Sequence, residues 1–219
     1  MGLDRQLVAR AALRLLDEVG LEGLTLRRLA GELGVKAPAL YWHFKNKQEL
    51  LDEMATTMLR DLLEETEPFG RGRSWAEWVA GSARGLRRML LGYRNGAKVF
   101  SGTYLTDDAL LGAQELPLRK LTDAGFSLGD AVRGYSTVYS YTIGFVIEEQ
   151  AVQPRPGERD ERYDPEKRAQ RIDAEKFPLA VAAGEEAFGG GYDERFEHGL
   201  RLIISGMEQS LARGAGKKQ

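Results

Sequence analysis

Few side chains in this 219-residue sequence could perform covalent or metal chemistry. It has no cysteine and only two histidines, which removes thiolate nucleophiles, disulfides and thiolate metal sites. No nucleophile elbow, phosphate-binding loop or H-E-x-x-H motif is present. Adjacent acids occur at positions 107–108, 148–149 and 185–186, but neighbours on a helix point about 100° apart, which is typical of solvated faces. We therefore expect no enzyme, no cofactor and no metal site.

The residue types in positions 36–47 favour a different chemistry, the non-covalent recognition of nucleic acid. Small residues let a helix approach base edges, aromatic rings meet sugars or thymine methyl groups, and cations neutralise phosphates. Residues 25–47 carry five basic side chains and one acidic one, although the whole chain has a net charge of −2. This composition is typical of a DNA-binding module. The side chains in question are Lys36, Ala37, Ala39, Tyr41, Trp42, His43, Lys45 and Lys47.

The same aromatic residues could instead fill the core of a three-helix module. Leu40 and Phe44 are four residues apart and share a helix face, so we expect both in the core. Tyr41 and Trp42 cannot face that core together with them. We therefore expect these two rings at the surface.

Capping and stop signals predict the helices that position this cluster. Asp4 caps a first helix over residues 5–19, which Gly20 ends. Thr25 caps a short second helix that stops at Gly34, and Pro38 begins a third that runs to about residue 44. Two short helices joined by a tight glycine turn have the dimensions of a helix-turn-helix.

The remaining pattern is also helical, so we predict an all-α fold with a three-helix helix-turn-helix DNA-binding domain and a larger C-terminal helical domain for ligand binding and dimerisation. Asn46 opens a fourth helix to about residue 65, and later helices are expected at 74–91, 97–104, 107–124, 128–152, 177–188 and 193–212. Pro117 is expected to kink or split one of them. The charge-free stretch 134–147 is too short to span a bilayer and is expected to be a buried helix. No apolar leader precedes the first helix, so we expect a cytoplasmic protein.

These signals give the following expected organisation. The boundaries are a DNA-binding domain at 1–47, a connecting helix at 48–67, a linker at 68–73 marked by Pro68, Gly70 and Gly72, a ligand-binding and dimerisation domain at 74–213, a mobile loop at 153–176 and a tail at 214–219.

Several runs of residues form a recognisable pattern. Near the turn they are Gly20-Leu21-Glu22-Gly23-Leu24-Thr25, Leu29-Ala30, Leu33-Gly34-Val35, Pro38-Ala39-Leu40-Tyr41-Trp42-His43 and Lys45-Asn46-Lys47. Further along they are Ser74-Trp75, Gly96-Ala97-Lys98-Val99, Gly102-Thr103, Gly125-Phe126-Ser127-Leu128, Thr142 with Gly144, and Glu148 with Glu149-Gln150. The first set closely resembles the DNA-binding module of the tetracycline repressor (TetR) family. The second resembles the regulatory domain of the tetracycline repressors themselves.

The resemblance implies a homodimeric transcriptional repressor that binds a palindromic operator. Arg28 would bind a guanine, and Lys47 and Tyr41 would bind the DNA backbone. Leu26 and Ala39 stand where relatives often carry Thr, so some backbone hydrogen bonds would be missing. The positions that match DNA contacts in the family are Arg27, Arg28, Ala37, Pro38, Tyr41, Trp42, His43 and Lys47.

The resemblance also implies that the helices at 128–152 and 193–212 form a four-helix bundle with the partner subunit. Their glycines, Gly134, Gly144, Gly199 and Gly206, would permit close helix approach. The alternative is that these helices are buried within one subunit.

For the effector pocket, the resemblance implies both matches and departures. Tetracycline repressors bind a magnesium chelate with a His at the position of Phe100, which cannot bind a metal. Thr103 and Glu148 match the family, and Glu148 would reach the partner's pocket. An apolar or aromatic effector is favoured by the aromatic residues Trp78, Tyr93, Phe100, Tyr104, Tyr135, Tyr139 and Phe145, unless these only fill the core. The candidate effector-binding residues are Leu63, Ser82, Leu86, Phe100, Thr103, Tyr104, Leu116, Tyr135, Tyr139 and Glu148.

Other functions remain open at this point. An activator could use the same scaffold. A helical protein that sequesters or transforms an aromatic molecule, with a vestigial DNA-binding module, is the alternative from another class.

Overall fold

The structure, a computed structural model, describes residues 3–65, 74–155, 157–188 and 191–216. All regular elements in these ranges are helices, which confirms the predicted all-α class. They are α1 (Arg5–Gly23), α2 (Leu26–Glu32), α3 (Ala37–Tyr41), α4 (Lys47–Glu65), α5 (Trp75–Leu91), α6 (Gly96–Phe100), α7 (Gly112–Asp123), α8 (Leu128–Val152), α9 (Pro165–Arg171), α10 (Pro178–Phe188) and α11 (Tyr192–Gly216).

The first two helices begin at the predicted caps, and α3 begins at Ala37, one residue before the predicted start at Pro38. The Asp4 carboxylate accepts a hydrogen bond from the Leu7 N–H at 2.7 Å, and the Thr25 hydroxyl accepts one from the Arg28 N–H at 3.2 Å. Gly20 interrupts α1 with φ +68°, as a stop signal should, but one further turn follows before the helix ends at Gly23. Between α2 and α3 the chain turns through Gly34, at φ +64°.

Helix α3 is shorter than predicted. It ends at Tyr41 rather than near residue 44, because the His43 N–H and the Phe44 N–H both donate to the Leu40 carbonyl, at 2.9 Å each, which tightens the last turn. Trp42 and His43 therefore lie in a turn that follows the helix.

In the larger body the helix order is as predicted, with shifted boundaries. The expected helix at 97–104 is the short α6, which ends at Phe100, and residues 103–107 belong to no regular element. The expected helix at 107–124 is split, but at residue 112 and not at Pro117: a 3₁₀ turn covers Asp108–Leu111, and α7 continues through Pro117.

The segment 153–176, predicted as a loop, contains a 3₁₀ turn at Glu161–Tyr163 and helix α9. Acidic caps explain this difference, because Asp160 and Asp164 accept hydrogen bonds from the N–H groups of Arg162 and Lys167, and Pro165 occupies a first-turn position. Helix α11 extends to Gly216, into the predicted tail. The predicted linker at 68–73 lies outside the described residues.

Two hydrophobic cores hold the helices together. The first is shared between the helix-turn-helix and the body: Leu40, Phe44 and Met54 belong to the same buried cluster as Phe100 and Val146. The second lies wholly in the body and contains Trp78, Leu121, Val138, Phe196 and Leu200. The first core therefore crosses the boundary predicted at residue 47, and residues on both sides of it pack against each other.

Helices α8 and α11 pack against each other within one subunit, and their glycines fall into two groups. A side chain at Gly134 would meet the Met207 side chain at 2.7 Å, and one at Gly199 would collide with the Tyr141 ring. At Gly144 and Gly206, which lie on the outward face, a Cβ would have no described atom within 4 Å beyond its own stretch of helix. The first pair therefore serves packing inside the subunit, and the second pair is free to meet another surface.

Among the described residues, no helix has both the length and the apolar character needed to cross a membrane.

Candidate functional site: a basic helical face and an apolar cavity

The first candidate site is the outer face of α2 and α3. Leu40 and Phe44 are fully buried, as predicted, whereas Tyr41 is 53% and Trp42 90% exposed. An indole this exposed contributes little to the core, so the local fold does not explain it. Around the two rings, the predicted DNA-contacting residues Arg27, Arg28 and Pro38 are exposed, and Ala37, His43 and Lys47 are partly exposed.

Lys47 has a second role that sequence reasoning missed. Its ammonium group donates a hydrogen bond of 2.6 Å to the Leu21 carbonyl, next to the kink in α1. An ammonium group has three donors, so this bond leaves two of them for another acceptor. Lys47 thus fixes the start of α4 to the end of α1 as well as lying beside the basic face.

Arg5 contacts the C-terminal end of residues 36–44, the recognition segment, which carries the two exposed rings. Its guanidinium group donates to the His43 carbonyl and lies 4.4 Å from the centre of the Phe44 ring. Its Nε donates to the Glu53 carboxylate on α4 at 3.0 Å. One side chain of α1 therefore connects the end of the recognition segment to α4.

The second candidate site is a cavity of about 370 Å³ in the body. It lies between α4, α5, α7 and α8, and the segment that follows α6 closes one side. Its lining residues are Leu59, Leu62, Leu63, Trp78, Ser82, Ala83, Leu86, Phe100, Thr103, Leu105, Ala113, Gln114, Leu116, Pro117, Tyr135, Ser136, Val138, Tyr139 and Thr142.

The cavity brings together most of the predicted effector-binding residues. Those that line it are Leu63, Ser82, Leu86, Phe100, Thr103, Leu116, Tyr135 and Tyr139. Tyr104 does not: its side chain is 75% exposed, whereas the residues on either side of it, Thr103 and Leu105, line the cavity. Glu148 lies elsewhere on α8, in an open groove with Tyr141 and Tyr192.

Two further aromatic residues singled out in the sequence lie in the cores. Tyr93 packs against the first core and Phe145 against the second. Neither ring is among the described residues that line the cavity.

The cavity wall is uncharged. No Asp, Glu, Lys, Arg or His stands among the described residues that line it. Burial raises the pKa of Tyr135 to about 12, and the neighbouring Tyr139 adds to this shift. Burial also raises the pKa of Tyr139. Both phenols are therefore neutral hydrogen-bonding groups at physiological pH.

Some polar side chains of the cavity wall form hydrogen bonds within the protein, and others do not. The hydroxyls of Ser82, Thr103 and Thr142 donate to main-chain carbonyls at 2.8–3.0 Å. Within the described residues, the structure shows no hydrogen bond to the side chains of Gln114 or Tyr135. A ligand could therefore meet an amide and a phenol that have free donors and acceptors.

Sequence reasoning missed several wall residues. Leu59, Leu62 and Gln114 line the cavity but are not among the effector-binding residues expected from the sequence. Gln114 and Pro117 are three residues apart on α7, so they share a helix face, and both line the cavity. No group of three His, Cys, Asp or Glu side chains in the described ranges is arranged to bind a metal.

The segment at 104–107, beside the cavity, is bonded to α4. The Tyr104 N–H donates to the Asp52 carboxylate at 3.1 Å, and the Thr106 N–H donates to the Thr56 hydroxyl at 2.9 Å. Arg60 forms an ion pair with Asp107 at 2.8 Å. The chain that closes the cavity is thus fixed to the helix that carries the DNA-binding module.

Comparisons with known proteins agree with this architecture. Residues 9–54 match the family of bacterial regulatory proteins of the tetR type, and residues 67–211 match the tetracyclin repressor-like C-terminal domain. The chain is 42% identical to the class C tetracycline repressor of Escherichia coli, over 94% of this chain and 91% of that protein.

Solved structures give the same result. A possible TetR family transcriptional regulator from Streptomyces coelicolor A3(2) is 36% identical with a TM-score of 0.82, over 94% of this chain and 100% of that one. ActR from Streptomyces coelicolor in complex with actinorhodin is 28% identical with a TM-score of 0.79, over 96% and 99%. These matches agree with the exposed recognition segment and the ligand-sized cavity, and they show that the chain belongs to the TetR family of transcriptional regulators, with the regulatory domain of its tetracycline-repressor branch.

Proposed function

We propose that this protein is a homodimeric repressor that binds a palindromic operator and leaves it when a small, uncharged aromatic molecule fills the cavity. In this proposal residues 1–47 bind DNA, residues 48–67 connect, and residues 74–213 bind the effector and dimerise. The observation that carries it is Trp42, 90% exposed beside Tyr41 in a basic segment where it has no part in the core.

The outward faces of α8 and α11 support the dimer. Val132 and Leu202 are 44% and 63% exposed there, and Gly144 and Gly206 leave room for close helix contact. A second copy would bury this face and hold two recognition segments at a fixed spacing, which raises the effective concentration of the second half-site contact.

The cavity supports the effector class. A charged ligand would lose its hydration and find no side chain of opposite charge among the described wall residues, so a neutral molecule is strongly favoured. Phe100 stands where the tetracycline repressors have a metal-binding His, which argues against a magnesium–tetracycline complex. The actinorhodin complex of ActR, a relative in fold, supports an aromatic molecule.

Release from DNA requires that the effector bind the DNA-free conformation more tightly than the DNA-bound one. A change from nearly full to nearly empty operator occupancy needs a difference of about 5.5 kcal/mol between the two states. Helix α4 is the element that can transmit this difference, because Leu59 and Leu63 line the cavity while Lys47, its first residue, donates to the Leu21 carbonyl of α1.

The test is a fluorescence-anisotropy titration of the dimer on DNA from upstream of its own gene, at two salt concentrations and with competitor DNA. We expect a dissociation constant of about 10⁻⁸ M or tighter at moderate salt, with strong loss in Trp42→Ala. Lys120→Ala, far along the chain on α7, is the matched surface control. Weak binding that competitor removes, from this DNA and from a genomic fragment pool alike, would favour the sequestering function instead.

The effector is tested on the same complex with two hydroxylated anthraquinones that differ only in a carboxylate. We expect the neutral compound to release the DNA at lower concentration, with and without a chelator of divalent cations. Preference for the charged compound, or a requirement for Mg²⁺, would contradict the proposed effector class.

A further inference from the structure

A buried carboxylate on α4 lies between the two sites. Glu53 is only 7% exposed, and a single oxygen of its side chain, Oε2, accepts hydrogen bonds from Arg5 Nε at 3.0 Å and from Thr106 Oγ1 at 3.1 Å. We propose that Glu53 is a positioning residue that couples the effector cavity to the recognition segment through these two donors. The inference rests on the proposed function, because it concerns the regulation of the same sites.

On the DNA side, the connection runs through Arg5. The guanidinium group is fixed to Glu53 by its Nε, donates to the His43 carbonyl and stacks on the Phe44 ring, 4.4 Å from its centre. His43 and Phe44 directly follow the exposed Tyr41 and Trp42. The Glu53 carboxylate therefore holds the guanidinium group that contacts the end of the recognition segment.

On the cavity side, the connection runs through Thr106. Its hydroxyl donates to Glu53 and also lies 3.2 Å from the Thr56 hydroxyl. Thr106 immediately follows Leu105, and Thr103 and Leu105 both line the cavity. A ligand that displaces this segment moves the Thr106 hydroxyl, because few backbone torsions separate the two.

The shared acceptor makes the two contacts interdependent. When Thr106 withdraws, Glu53 Oε2 loses one of its two donors, and the carboxylate can re-orient toward Arg5 or toward water. A charge-assisted hydrogen bond is strong and short-ranged, so a small shift of the carboxylate alters the Arg5 geometry. Filling the cavity thus changes the support of the recognition segment without any contact between ligand and DNA-binding module.

The test compares two isosteric substitutions in the full-length dimer. Thr106→Val removes the hydroxyl that reaches the Glu53 carboxylate. Thr57→Val is the matched control, since the Thr57 hydroxyl is fully buried and donates to the main-chain oxygen of Glu53, at 2.8 Å, rather than to its carboxylate. The first measurement is the ¹H–¹⁵N signal of the Arg5 Nε–H group, assigned by its loss in Arg5→Lys.

The second measurement is affinity for DNA that the wild-type dimer selects from a random pool. We expect Thr106→Val to shift and broaden the Arg5 signal and to weaken binding of the selected DNA about tenfold, as loss of one hydrogen bond to a charged acceptor would. Binding of unselected DNA should not change. Thr57→Val should leave both the Arg5 signal and the affinity as they are, although it lowers thermal stability comparably.

The outcomes separate the two hypotheses. The role of Glu53 is overturned if the Arg5 signal is the same in Thr106→Val and wild type, or if both bind the selected DNA with equal affinity. Either result leaves the proposed function intact. A wild-type dimer that enriches no sequence from the pool overturns the proposed function, and the role of Glu53 in regulation falls with it.

Discussion

Arg87 on α5 and Glu149 on α8 form a two-pronged ion pair, with Nε–Oε2 and Nη2–Oε1 distances of 3.0 and 2.7 Å. Their side chains are only 12% and 7% exposed. Arg87 also reaches Asp193 on α11 at 2.6 Å and lies over the Phe196 ring. One guanidinium group therefore connects the three helices that frame the effector domain.

Replacement of the Glu149 carboxylate should destabilise the protein. In Glu149→Gln the Arg87 charge stays buried with only the exposed Asp193 to balance it, so we expect a loss of about 2–3 kcal/mol of unfolding free energy, measured by urea denaturation. The control is Glu115→Gln, which breaks the exposed Glu115–Arg119 pair and should cost less than about 0.5 kcal/mol. Equal losses in both variants would contradict a special role for the buried pair.

Tyr135 should make stability fall at alkaline pH. Its folded-state pKa of about 12 lies above the value of 10.0 expected for an unfolded chain. The unfolded state therefore loses its proton first, and stability that is complete below pH 10 is lost as the pH rises toward 12. Between pH 8 and pH 11, the unfolding free energy of the wild type should therefore fall by about 1 kcal/mol more than that of Tyr135→Phe, because the variant has no phenol at this position that could ionise in the unfolded state. Identical pH profiles would show that the phenol is not buried as described.

Alanine substitution of two glycines of α11 should affect two different properties, the stability of the subunit and the affinity of the dimer. A methyl group at Gly199 collides with the Tyr141 ring, whose hydroxyl is fixed by a 3.0 Å hydrogen bond to the Phe196 carbonyl, so Gly199→Ala should cost about 1–3 kcal/mol of stability. Gly206→Ala meets no described atom of the subunit outside its own helix and should instead weaken the dimer, as sedimentation at several protein concentrations would show. Unchanged dimerisation in Gly206→Ala would place the subunit interface on another face.

Two basic residues of the recognition module should differ in how they affect DNA binding. Arg28→Ala should cost about 1–3 kcal/mol on the selected operator and relax specificity at one base pair. Lys45→Ala should weaken binding to all sequences alike and reduce the slope of log affinity against log salt by about one phosphate contact. Anisotropy titrations at several salt concentrations measure both effects. A salt slope that falls equally in both variants would exclude base contact by Arg28.

Local signals explain why the helices could be predicted from the sequence. Asp4, Thr25 and Ser127 cap their helices through their own side chains, and each bond joins residues three apart. Leu40 and Phe44 could be placed in the core, and Trp42 outside it, by helical spacing alone. The family resemblance predicted many of the residues that line the cavity, for example Ser82 and Leu86.

Contacts between distant residues could not be predicted. Arg87 and Glu149 are 62 positions apart, and no local pattern relates them. Gln150 was part of the resemblance but without a role. Its amide donates to the Leu90 and Tyr93 carbonyls and accepts from the Ala97 N–H, so it holds the turn between α5 and α6. The outward direction of the Tyr104 side chain could not be predicted either, because its two neighbours in the sequence face the cavity and no local pattern distinguishes the three residues.

The placement of the cavity walls has a consequence for how this protein can acquire new effectors over evolutionary time. Leu59 and Leu63 lie on the helix that carries the DNA-binding module, so their substitution changes ligand preference and operator binding together. Gln114 and Leu116 lie on α7, which packs mainly against α8. Substitutions on α7 can therefore diversify the ligand while the operator is retained, and α7 is where divergence among descendants of this chain should concentrate.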